Sequence, residues 1–75
     1  MIKDKLRSIL AEAIELEPDE IDDASSPDTT PEWDSFAHMN MVAVIEKEYG
    51  ISLTIDEVIE MQSLPKILEV VSRKL

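Results

Sequence analysis

Seventy-five residues carry seventeen acids against seven bases, a net charge of −10, and no cysteine. That length allows one domain with a lean core, burying about 60% of the surface its unfolded chain exposes, and the absent cysteines exclude a disulfide framework, a thiolate metal site and a cysteine nucleophile. The negative field repels nucleic acid and anionic lipid and draws basic protein partners, although acidity of this kind also serves solubility alone. The chain opens on Met1 and the charged run KDKLR rather than an apolar signal core, and its longest apolar run, MVAVI at 41 to 45, is far too short for a membrane span. The expectation is a cytoplasmic monomer that binds neither nucleic acid nor membrane.

Ile2, Leu6, Ile9, Leu10, Ala13 and Ile14 fall at helical spacings with charged residues between them, which predicts a first helix ending before Pro18. Residues 17 to 34, EPDEIDDASSPDTTPEWD, combine prolines with Asp, Ser and Thr, the composition of a long irregular connection. Loops of that length without structure are usually functional or disordered, and Ile21 is the lone aliphatic that can pin this one. A second helix is predicted from Ser35 to Tyr49, with Phe36, Met39, Val42, Ile45 and Tyr49 as its stripe and Gly50, the only glycine, as its stop. Thr54 and Glu57 read as a capping box opening a short helix through Met61, with Ile55, Val58 and Ile59 as its apolar side. Ser63 reads as the N-cap of a last helix whose stripe is Leu64, Ile67, Leu68, Val71 and Leu75, with Pro65 tolerated in its first turn. No segment alternates long enough to be a strand. The fold class expected is all-α, a small four-helix bundle of three longer helices and one short one, filling residues 1–75 as a single domain.

Conventional chemistry finds little purchase. Asp34, Ser35 and His38 lie within one turn of a helix start but lack a pocket and an oxyanion hole, so a hydrolase is not expected, and His38 reads as a surface residue. Asp19, Asp22, Asp23 and Asp28 miss the spacing and the turn glycine of a calcium loop, so no dedicated metal site is expected. Met39, Met41 and Met61 suit either core filling or an adaptable cavity. Asp34 and Ser35 are both favoured N-caps, and either can satisfy the first amides of the second helix.

Taken together, the acidic loop, DSF opening a helix that runs into IEKEYGI, and LTIDEVIEMQSLPKI leading to a final helix resemble the acyl carrier protein family, including the carrier domains of polyketide and non-ribosomal peptide synthesis. The match is best from Trp33 to Leu64. The resemblance implies that Ser35 is the attachment point of 4'-phosphopantetheine, delivered from coenzyme A by a phosphopantetheinyl transferase with magnesium. It implies that Asp34 helps to engage that transferase, and capping by Asp34 would leave the serine hydroxyl free. The protein would then be a carrier and not an enzyme, holding acyl or aminoacyl groups as thioesters for partner enzymes that load and process them. A helix N-terminus suits a phosphodiester electrostatically. Met39, Val42, Ile55, Val58, Ile59 and Met61 are the positions that would line a sheltering acyl pocket.

Family partners commonly offer basic patches to an acidic second helix, yet here Ala37, His38 and Asn40 stand where acids are frequent and Lys47 interrupts Glu46 and Glu48. The contact surface is therefore expected to lean on Phe36, Met41, Ala43 and Val44 with Glu46, Asp56, Glu57 and Glu60. Phe36 replaces the usual leucine and is expected to cover core, while Trp33 replaces a small residue and stands as a candidate recognition element. Trp33, Phe36 and His38 are where partner specificity is to be sought. These departures point to a discrete carrier in a dedicated fatty acid, polyketide or peptide-like pathway. The competing reading is a small acidic interaction domain with a structural, unmodified Ser35, for which Met41 and Val44 would supply a surface stripe.

Overall fold

The computed structural model describes residues 1–75. Four helices, α1 (Ile2–Ala13), α2 (Ser35–Tyr49), α3 (Ile55–Glu60) and α4 (Leu64–Lys74), follow one another with a single 3-10 turn at Pro18–Glu20. No strand is present, in keeping with the all-α expectation. The first helix packs against both α2 and α4, and α3 lies on α4. No helix is long and apolar enough to cross a membrane.

Local chemistry sets the helix ends. Glu15, in the left-handed region at φ 60°, closes α1 while the Leu16 amide donates to Ala11 O at 2.9 Å, a Schellman arrangement in which a non-glycine residue takes the strained position. Gly50 fills the equivalent place after α2 at φ 64°, where a glycine carries no Cβ penalty. Thr54 and Glu57 form the capping box of α3, and the Ser63 hydroxyl accepts from Lys66 N at the start of α4.

The long connection is a succession of tight turns. Glu17 and Glu20 cap the 3-10 turn, Asp22 Oδ1 accepts from Ala24 N at 2.9 Å, Thr29 N donates to Ser26 O at 3.1 Å, and Trp33 N donates to Thr30 O at 2.9 Å. Two side chains pin it to the core: Ile21, as the sequence suggests, and Trp33, only 2% exposed.

Trp33 is thus core and not a surface recognition element. Phe36, expected to cover the core, is instead 77% exposed. Met41, placed on the contact surface by the sequence reading, is fully buried beside Ala37, Val42 and Ile45. The cause is α2 itself, which is apolar over most of its circumference. Its periodicity does not single out an inward face, and the buried row runs through Ala37, Met41 and Ile45 while Phe36, Met39 and Val44 turn outward.

The short helix α3 contributes no fully buried residue of its own and depends on its neighbours. Glu57 pairs with Lys74 at 2.9 Å and Glu60 with Arg73 at 2.7 Å, tying it to α4. The Thr54 backbone N–H, and after it Lys74, hold the Glu57 carboxyl below its ordinary value of 4.5. A depressed folded value means that this contribution is fully present above pH 4.5 and is lost as the pH falls through the folded value. Glu57→Gln is therefore expected to lower the urea midpoint at neutral pH and to converge with the wild type in acid. A constant offset from about pH 7 to about pH 3 would contradict this.

Candidate functional site

The turn ending in Trp33 delivers the chain to α2 with Asp34 as N-cap. Asp34 holds extended backbone (φ −93°, ψ −179°), its Oδ1 accepts from Ala37 N at 2.8 Å, and its carbonyl accepts from His38 N at 2.9 Å. Ser35 is the first residue of α2, exposed, and its hydroxyl has no hydrogen-bond partner in the protein. The amides of a helix's first turn have no intrahelical acceptors, so the hydroxyl stands at the positive end of a fifteen-residue helix dipole. Exposure, lack of a partner and proximity to free amides are what a phosphodiester on this oxygen would need.

Behind Ser35 lies an unbroken polar chain. The Trp33 indole N–H donates to His38 Nδ1 at 2.9 Å, and His38 Nε2 lies 2.8 Å from the Val58 carbonyl of α3. An indole N–H can only donate, so Nδ1 is the acceptor and the imidazole proton sits on Nε2, facing Val58 O. The two rings also stack, with centroids 6.1 Å apart and planes inclined by 25°. His38 is consequently half-buried and bound at both nitrogens, not the surface residue or partner contact that its position suggests. Neither nitrogen is free to deprotonate Ser35, which removes the serine–histidine hydrolase reading on geometry.

An open groove of about 430 Å³ adjoins Ser35, lined by Pro27, Trp33, Asp34, Ser35, His38, Met39, Val58, Ile59 and Gln62. Met39, Val58 and Ile59 of the expected acyl-pocket set are brought together there. Val42 and Met61 are packed into the core instead, and Ile55 is 79% exposed and outside the groove. Nothing in the sequence marks Pro27 and Gln62, whose place depends on how the loop and the α3–α4 connection meet. A second groove on the α1 side, about 610 Å³, is lined by Ile9, Ala13, Phe36 and Val44 with Glu12, Glu15 and Glu32 at its rim.

The remaining partner candidates divide by what already engages them. Glu46 accepts from Leu53 N at 2.8 Å, and Glu57 and Glu60 are held by Lys74 and Arg73. Asp56 is exposed and makes no ion pair, and Phe36 and Val44 remain open to solvent. No three histidine or acidic side chains converge in a way that would hold a metal ion.

Residues 4–71 match the family model described as the phosphopantetheine attachment site. The chain is also similar to the solution structure of a holo acyl carrier protein from Geobacter metallireducens, at a TM-score of 0.81 and 22% identity, over 96% of this chain and 83% of that one. No curated protein matches it significantly.

Proposed function

The chain belongs to the phosphopantetheine attachment-site family, and on that footing we propose that it is a discrete carrier protein whose prosthetic group is held on Ser35. The observation that carries the assignment is the division of labour at the start of α2. Asp34 meets the helix's need for a cap, and the adjacent hydroxyl is left exposed and unengaged at the helix's positive end. When bound, the group supplies the thiol that this cysteine-free chain lacks, on which an acyl or aminoacyl cargo is held as a thioester.

In the loading step the Ser35 oxygen forms the new bond to phosphorus, the pyrophosphate bond of coenzyme A breaks, and adenosine 3',5'-bisphosphate leaves. The hydroxyl proton goes to a base that the transferase supplies, since both His38 nitrogens and Asp34 Oδ1 are already engaged. Asp34 has a second carboxylate oxygen with which to meet the transferase's magnesium. Partner enzymes with basic patches would be drawn by the net charge of −10 and would meet Phe36, Val44 and Asp56 around the site. The setting is the cytoplasm, and the pathway a dedicated one for acyl, polyketide or peptide-like products.

Incubation with coenzyme A, magnesium and a broad-specificity phosphopantetheinyl transferase tests the proposal. One phosphopantetheine per chain is expected by intact mass, and a chain that stays unmodified overturns it. The interaction-domain reading loses Met41 to the core but keeps the exposed Phe36 and Val44 beside the α1–α2 groove. Retention of the cellular function by Ser35→Ala would favour it.

A further inference from the structure

An alkyl chain carried on Ser35 would reach the interior most directly between α2 and α3, because the groove beside the serine runs along that seam. The seam is closed by the Trp33–His38–Val58 chain: the indole N–H donates to Nδ1, and Nε2–H to the Val58 carbonyl, which also accepts from Met61 N at the end of α3. Behind it Met41, Ile45 and Met61 are fully buried and Val42 is 4% exposed, and the molecule's three concavities are all open surface grooves. To enter, a chain would have to part His38 from Val58 and lift Trp33, which with Ile21 anchors the approach loop. What remains available is the outer groove, where Trp33, Met39, Val58 and Ile59 present more apolar than polar surface beside Asp34 and Gln62. That groove, about 430 Å³ and open to solvent, can cover a short acyl group with apolar wall but leaves the rest of a long alkyl chain in water, an unfavourable place for it.

Resting on the carrier reading of Ser35, we propose that His38 is a specificity-determining latch: it holds α3 to α2, keeps cargo outside the bundle, and so fits this carrier to acyl groups short enough for the outer groove rather than long alkyl chains. His38 touches neither the attachment oxygen nor the reacting thioester. It acts by position, through Val58.

The test uses the full chain labelled with 13C-methyl methionine and loaded by a transferase from acetyl- or octanoyl-coenzyme A. Between the acetyl and octanoyl forms the Met39 methyl, at the groove, is expected to shift while those of Met41 and Met61 stay in place. In His38→Ala the octanoyl form is expected to shift Met41 and Met61 as well. Movement of Met41 and Met61 in the wild-type octanoyl form overturns the inference, as does their immobility in octanoylated His38→Ala. Should His38→Ala not fold, His38→Leu, which keeps apolar bulk and removes the hydrogen bond to Val58 O, is expected to give the same core shifts, and their absence overturns the latch. Intact mass separates the two levels: a chain that takes no acyl-phosphopantetheine on Ser35 overturns the carrier reading, whereas a loaded chain with a perturbed core overturns the latch alone.

Discussion

Ser35→Ala is expected to abolish phosphopantetheine transfer completely while changing folding stability by no more than about 0.5 kcal/mol. The two halves of this expectation have different causes. Transfer needs the hydroxyl oxygen as nucleophile, and the exposed, unengaged Ser35 is the one serine at the start of α2 beside its cap. Stability does not need it, because Asp34 and not Ser35 satisfies the Ala37 amide. Asp34→Ala gives the converse pattern: an intact hydroxyl, a lost cap and a destabilisation of about 1 kcal/mol. Mass spectrometry after the transfer reaction and urea melts of both variants check the pair. An adduct on Ser35→Ala would place the cofactor elsewhere, and a destabilisation of that variant well beyond 1 kcal/mol, roughly the worth of a cap, would make the serine structural.

Trp33→Ala is expected to produce the largest loss of stability of any single substitution in the molecule. The indole is 2% exposed, so truncation costs about 3–5 kcal/mol in transfer and cavity terms. It also leaves His38 Nδ1 without its donor in a half-buried setting. A chain of this length has roughly 4–11 kcal/mol of total stability at the usual 0.05–0.15 kcal/mol per residue. Much of the population should therefore unfold at 25 °C or melt at a far lower temperature, with the approach loop to Ser35 released. Trp33→Phe retains most of the apolar contact and should lose markedly less. Urea midpoints for the three proteins measure this, and a loss below about 1 kcal/mol for Trp33→Ala, the size of an ordinary point mutation, would contradict the anchoring role.

The same two residues show how far the sequence could be read. The helix boundaries and caps were legible because their chemistry is local: Thr54 with Glu57, Ser63 with Lys66, and Gly50 after Tyr49 need only their neighbours within a turn. The proposed attachment region rests on a motif, Asp-Ser-apolar at a helix start following an acidic loop. The orientation of α2 was not, since a helix that is apolar most of the way round leaves its inward face to the packing of its neighbours. That is why Met41 proved to be core and Phe36 surface, whereas Trp33, in the loop before α2, is turned inward by the tight turn that ends at it. The role of His38 was hidden for a different reason: its partner is the backbone of Val58, twenty residues away, and a carbonyl leaves no trace in the sequence. Nor does the sequence show that Glu46 is spent on Leu53 N, or that Glu57, beyond its capping box with Thr54, is paired with Lys74. This narrows the free acids near the site and leaves Asp56 as the unpaired one on α3.

The carrier assignment on Ser35 is tested most directly by the intact mass of the chain purified from its own host, followed by mapping of the modified peptide. The expected result is a chain heavier by one phosphopantetheine, with or without a short acyl group, and the addition located on Ser35. A chain of unmodified mass, or one modified at any other residue, would contradict it.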